Sequence, residues 1–267
     1  AALKALEYGA VEVMHKPNVS SGLELERNST YIKNAIRAAS QANVSLLNRR
    51  LIESRLKPSD VVTSAVVKKN ISETTTSARK VLAIGASTGG TEAIKSILMM
   101  LTADSPGVVI VQHMPGIFTG QFAQRLDKEC PITVKEAADN DIVLPGQALI
   151  APGDQHMQLR KVGGSFRVEL SDKPLVNRHR PSVDVLFNSV AEQAKSQALG
   201  VILTGMGKDG AKGLLAMRQA GAFTIAQDEE SCVVFGMPKE AINIGGATKV
   251  LNIREIGRYL EKIRNVN

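Results

Sequence analysis

The sequence predicts an α/β fold: a doubly wound, mostly parallel sheet in a Rossmann-like three-layer arrangement, with an antiparallel hairpin near the sheet edge. Three observations carry this. Runs such as VLAIGA and GVVIV are apolar throughout, as strands covered on both faces are. From residue 79 onward such runs alternate with helical stretches behind Gly or Pro punctuation. The stretch from about 142 to 171 breaks that rhythm with Pro-Gly, Pro-Gly-Asp and Gly-Gly turns, the signature of hairpins.

In chain order, KVLAIGAS leads to the helix GTEAIKSILMML, and GVVIVQHM to the helix GQFAQRLDKE. TVKEA, QALIAP and RVELS are short strands, followed by the helix SVDVLFNSVAEQA. LGVILTG precedes the helix GAKGLLAMRQA; FTIAQ is a further strand and IREIGRYLEKI the final helix. Two regions precede this body. Residues 1–45 hold the apolar stretch AVEVMHKP and a helical run YIKNAIRAASQA. Residues 46–78 are rich in Ser, Thr and Lys, have no sustained apolar face and read as a linker, with a helix through NRRLIESRL at its start.

Composition narrows the function classes. Aromatics are 3% of the 267 residues and Trp is absent, so the core must be aliphatic. No run approaches the roughly 18–20 apolar residues of a membrane span, and no secretory signal is visible. Membrane insertion is therefore not expected. The chain does not start with Met, which is compatible with a piece of a longer protein. Cys130 and Cys232 lack metal or redox spacing and read as reduced thiols of a cytosolic protein. The net charge of +7 raises nucleic-acid binding, but the basic residues are spread out and not interleaved with aromatics. That charge fits a solvated surface with some preference for an acidic protein partner, and no nucleic acid.

Three loops carry chemistry. Gly85-Ala-Ser87-Thr-Gly89 spells G-x-S-x-G between a strand and a helix, the context in which a tight turn lifts a Ser hydroxyl above a sheet. A Gly-rich turn with Ser87 as a helix N-cap is the alternative. His113 ends GVVIVQHMP, at the strand edge where such folds place their sites, though a lone His is often only packed. Asp209 lies in TGMGKDG after the strand LGVIL, free to turn onto an imidazole or to cap the next helix. All three follow the carboxyl ends of apolar strands, so a parallel sheet can bring nucleophile, base and orienting acid together. His15, His156 and His179 have weaker claims; His179, between Arg178 and Arg180, could line a pocket rim. The order Ser, His, Asp separates the chain from ordinary α/β-hydrolases, which run Ser, acid, His.

IGASTGGTEAI, VVIVQHMP, FTGQFAQRLD, ALIAPGDQHMQL, HRPSVDVLFNSVA and VILTGMGKDGAKGLLAMRQAGAFTIAQDEESCVVFGMPKEAI, in this order, closely resemble the chemotaxis protein-glutamate methylesterases of the CheB family. The resemblance covers nearly all of 79–250. It implies Ser87 as nucleophile, His113 as general base, Asp209 as the residue orienting it, and oxyanion contacts from backbone near Thr88 and Met206. It implies demethylation of glutamate γ-methyl esters and deamidation of glutamines on the cytoplasmic helices of chemoreceptors, without metal or organic cofactor, in the cytoplasm. LKALEYGAVEVMHKP resembles the last strand of a receiver domain ending in Lys16-Pro17. The chain then divides into a receiver remnant (1–45), a linker (46–78) and a catalytic domain (79–267). Residues 1–45 are expected to be partly disordered or to pack opportunistically on that domain. A chemotaxis histidine kinase would act through the mostly missing receiver, so constitutive activity, insensitive to phosphodonors, is expected.

Two other readings stand beside this one. Gly205-Met-Gly207-Lys-Asp-Gly210 also spells G-x-G-x-x-G, with Asp228 where a ribose-binding acid would lie, so a nucleotide-binding module is one. A non-catalytic chemotaxis regulator is the other; the presence of all three candidate triad residues weighs against it.

Overall fold

A computed structural model describes residues 5–6, 8–14, 22–48 and 81–263. Most of the expected linker, with the helix expected through NRRLIESRL, lies outside the described residues, as do His15 and Lys16-Pro17. After α1 (Gly22–Gln41) the chain enters the α/β body: β1 (Val81–Ala86), α2 (Gly90–Leu98), β2 (Gly107–Gln112), α3 (Gly116–Glu129), β3 (Thr133–Glu136) and β4 (Gln147–Ile150). The hairpin β5 (His156–Val162) and β6 (Ser165–Ser171) follows, then α4 (Val183–Gln193), β7 (Ala198–Ile202) and α5 (Ala211–Gln219). The chain continues through β8 (Phe223–Gln227), α6 (Met237–Asn243), β9 (Lys249–Leu251) and α7 (Ile253–Ile263).

The main sheet runs β3-β4-β2-β1-β7-β8-β9, and every pair in it is parallel. Strand side chains alternate between faces, and each face has its own core. Leu82, Ile84 and Ala86 of β1 pack with α2, α3 and α7; Val81 and Ala83 pack with α4, α5 and α6. This explains why β1 and β7 are apolar at every position and β2 at every position but Gln112: neither face meets water. Gly85 occupies the α4 face, where a Cβ would lie 2.2 Å from Val183 Cγ1, so the missing side chain lets α4 approach β1.

The β5–β6 hairpin forms a separate two-stranded antiparallel sheet. Met157, Leu159 and Val168 turn into the core beside α4, and an isolated bridge from Arg167 to Ile142 ties the hairpin to the loop after β3. Two elements escaped the sequence reading. α6 has seven residues and β9 three, the latter an edge strand with two exposed positions, so neither shows a readable period.

The N-terminal piece packs on the α/β body. Residues 10–14, likened to a receiver strand, carry no strand. A strand needs a partner edge, and no described strand offers one there. α1 contains most of the expected helical run and starts earlier. Ala38 is buried against Val233 and Val234, and Asn43 N donates to Val233 O at 2.8 Å.

Candidate active site

The sheet's connections run one way from β1 to β2 and β4, then return to place β7 on the other side of β1. That reversal is the point where doubly wound sheets open a crevice at their carboxyl edge. Ala86 pairs with Gln112, so Ser87 and His113 leave neighbouring strands at the same level. His113 N donates to Ala86 O at 3.0 Å, and on the other side Ser87 N donates to Thr204 O at 3.0 Å. Gly90 N closes the turn onto Ser87 O at 2.7 Å. Gly89 makes that turn with φ +77°, and a Cβ there would lie 2.5 Å from Val233 Cβ. Gln112, itself buried, donates from Nε2 to both Ser87 O (2.9 Å) and His113 O (3.1 Å), binding the two loops together.

His113 reaches over β1 to the loop after β7, where its Nε2 lies 2.8 Å from Asp209 Oδ2. Asp209 is 1% exposed. It also accepts from Asn177 Nδ2 (2.7 Å), Ser182 Oγ (2.7 Å), Val183 N (2.7 Å) and, more weakly, Asp184 N (3.4 Å). Burial alone would raise the Asp209 pKa; the hydrogen bond and charge of His113, with those of Asn177 and Ser182, overcome it and hold the carboxyl well below the usual carboxylate range. An ionised Asp209 accepts only, so the imidazole carries its proton on Nε2. Its Nδ1 is buried and makes no hydrogen bond among the described residues, nor does Ser87 Oγ. Asp184 is the neighbouring carboxyl. Burial and the charge of Asp209 raise its pKa, against hydrogen bonds from Gly213 N and Asn177.

Ser87, Thr88, Gln112, His113 and Phe118 line one cavity, which they share with Leu6, Val11, Glu12 and Val13. Thr88 Oγ1 donates to Glu12 Oε2 at 2.7 Å, so a carboxylate of the N-terminal segment sits beside the serine turn. Met206 is not in that lining; it packs with Val233 and Val234.

The other candidates divide. The ring of His179 lies flat on His113, centroids 3.7 Å apart and planes 7° from parallel. Arg178 is exposed, and Arg180 donates to the carbonyls of Asp172 and Lys173. His156 is structural: its Nε2 bonds Pro174 O at 3.0 Å and its Nδ1 accepts from Ser182 N at 3.2 Å. Asp228 accepts from the N and Oγ of Ser231, a loop cap, and Asp209 within the G-x-G-x-x-G run faces His113, which leaves no phosphate cradle there. Among the described residues no group of three or more His, Cys, Asp or Glu could hold a metal ion, and no helix is long and apolar enough to cross a membrane. Gln112, Asn177 and Ser182 were not singled out by the sequence reading. Their only written signal is adjacency to candidate residues, in QHMP and NRHRPS.

A serine turn, a buried His–Asp pair and a doubly wound parallel sheet together define a class: α/β proteins with hydrolase chemistry at the carboxyl edge. The CheB methylesterase profile matches residues 82–260. The chain belongs to the CheB methylesterase family. It is 54% identical over 265 residues to protein-glutamate methylesterase/protein-glutamine glutaminase 3 of Geobacter metallireducens, covering 98% of this chain and 74% of that protein. A relative of the same activity name from Salmonella typhi is 48% identical over 258 residues, covering 97% of this chain and 70% of the relative. The crystal structure of the Thermotoga maritima CheB methylesterase catalytic domain superposes with a TM-score of 0.68 at 44% identity, covering 69% of this chain and 98% of that one.

Proposed function

We propose that Ser87, His113 and Asp209 form the catalytic triad of a protein-glutamate methylesterase and protein-glutamine glutaminase acting in chemotaxis. The observation that carries the reading is the His113–Asp209 hydrogen bond, at the sheet edge where Ser87 lines the same cavity as His113. Ser87 Oγ attacks the γ-carbonyl carbon of a glutamate methyl ester while His113 takes the hydroxyl proton. Asp209 stabilises the imidazolium. The C–OCH3 bond then breaks, His113 returns the proton to the departing methanol, and water hydrolyses the acyl-enzyme by the same steps in reverse. With glutamine as substrate the leaving group is ammonia.

The register supports a particular division of the imidazole. Ser87 is level with His113 on the adjacent strand, while Asp209 comes from the loop after β7. Nε2 is held by Asp209, so Nδ1 is the nitrogen that accepts the Ser87 proton. Backbone N–H groups of Thr88 and Met206 are the oxyanion donors in this reading. Neither makes a backbone hydrogen bond among the described residues, and Thr88 stands at the N-terminal side of α2, where such groups favour negative charge.

The substrate residues lie on the cytoplasmic helices of a methyl-accepting chemoreceptor, and the protein works in the cytoplasm without metal or organic cofactor. Residues 1–45 are the tail of a receiver domain, 46–78 a linker and 79–267 the catalytic domain, a division supported by a family match that starts at 82. A chemotaxis histidine kinase acts through the receiver domain. The test is methanol release from methylated chemoreceptor membranes by this chain and by Ser87→Ala. Release that vanishes in the variant, with an unchanged thermal midpoint, is expected. Equal release by both would remove Ser87 from the mechanism.

A further inference from the structure

The ring of His179 belongs to none of the steps above, yet it covers the face of the imidazole that performs them. Its position comes from a two-residue turn. Val176 N donates to His179 O at 3.1 Å and His179 N to Val176 O at 2.9 Å, closing an antiparallel bridge. The two residues between, Asn177 (φ 52°) and Arg178 (φ 69°), are both left-handed, as a type I′ turn requires. Asn tolerates that conformation; Arg adopts it under strain. The turn delivers two side chains to the site. Asn177 Nδ2 reaches Asp209 Oδ1 and Asp184 Oδ2, each at 2.7 Å, and His179 stacks on His113.

The geometry of the stack is informative. Two uncharged aromatic rings favour offset or edge-to-face contact over parallel faces 3.7 Å apart. A face-to-face contact becomes favourable when one ring is a cation and the other is not. His179 is the ring that stays uncharged. Burial above all, then a protonated His113 and the charge of Arg178, push its pKa down to about 3, against the opposing pull of Asp209. The ring that becomes a cation is His113, at the moment it holds the Ser87 proton.

We propose that His179 is a positioning residue for the esterase reaction: its ring holds the His113 imidazole in the plane that joins Asp209 to the cavity, and its face accommodates the charge His113 acquires. His179 transfers no proton and touches no reacting atom. The inference rests on the triad reading above, and Ser87→Ala separates the two, because it removes turnover whatever His179 does.

The experiment measures kcat and KM for methanol release, with thermal midpoints, in this chain and in Ser87→Ala, His179→Ala and His179→Phe. His179→Ala is expected to lose about tenfold to a hundredfold in kcat with KM unchanged, the size of effect that a misplaced catalytic group produces. His179→Phe keeps a flat π-face without ring nitrogens and is expected to recover most of that loss. A Phe variant as slow as the Ala variant, with a wild-type thermal midpoint, would show that the ring nitrogens matter and overturn the proposal. So would wild-type kcat in His179→Ala, or a loss that falls on KM. Should His179→Ala fail to fold, the rate of the Phe variant decides alone. Methanol release by Ser87→Ala would instead overturn the triad reading.

Discussion

Asp209 and Ser87 sit on loops flanking the same crevice and are held in opposite ways. Asp209 accepts from five donors: His113 Nε2, Asn177 Nδ2, Ser182 Oγ and the backbone N–H groups of Val183 and Asp184. Ser87 is fixed only through its backbone, by Thr204 O, Gly90 N and Gln112 Nε2, and its hydroxyl is unbonded among the described residues. The contrast follows from charge. A buried carboxylate is tolerable only when its lone pairs are occupied, whereas a nucleophile must keep its oxygen free to attack. The two sides also differ in their neighbours. The Asp209 side is closed by α4 and the 176–179 turn; the Ser87 side shares its cavity with residues 11–13.

The largest effect that would sharpen this contrast comes from Asp209→Asn. An amide has one acceptor oxygen, so its NH2 must face donors now satisfied by Oδ1 or Oδ2. A rate loss of about 10⁴-fold is expected, the scale seen when a triad acid becomes its amide. A lowered thermal midpoint should accompany it, unlike Ser87→Ala, since buried donors lose their acceptor at about 1–3 kcal/mol each. An Asp209→Asn protein as stable as the parent would break the claim that this half is saturated. Next is Gly85→Ala. Its methyl group would meet Val183, whose N–H holds Asp209, so a loss of about 1–3 kcal/mol in chemical denaturation is expected, the usual cost of overpacking. No loss would mean that α4 shifts freely relative to β1.

Acid stability tests the same side. The folded pKa of His179 is about 3, against about 6.5 when unfolded. Between those values the unfolded chain binds the proton and the folded chain does not, so this histidine's contribution is full above 6.5 and falls as pH drops toward 3. Denaturation at pH 7 and pH 5 should show about 1–2 kcal/mol less acid destabilisation in His179→Phe than in the parent. Identical pH profiles would mean that His179 is protonated in the folded protein. The smallest effect is expected on the Ser87 side. Glu12→Ala removes a carboxylate that occupies the Thr88 hydroxyl, and methanol release should rise, by less than about tenfold, the worth of a single ordinary hydrogen bond. A fall in rate would mean that Glu12 supports the serine turn.

Much of this molecule could be read before it was seen. β1, β2 and β7 are legible because strands buried on both faces are apolar almost throughout, and their carboxyl ends point to Ser87, His113 and the Asp209 loop. The hairpin is legible from its turns. β9 and α6 are not, since three or seven residues at an edge carry no period. Asn177, Ser182 and Gln112 were also hidden, because a hydrogen-bond partner is defined by distance rather than by pattern. Residues 10–14, within the segment that resembles a receiver strand, form no strand, since no described strand offers them a partner edge.

By itself, the sequence determined the parallel layered fold, the strand-end positions of the candidate residues and the family they resemble, because burial and turn chemistry are local and leave periodic or punctuated traces. Only the tertiary structure decided that Nε2 rather than Nδ1 faces Asp209, that five donors converge on that carboxylate, and that His179 covers His113. Those contacts join residues up to 96 positions apart, and their energy depends on angles and separations that exist only once the sheet has brought its strand ends together.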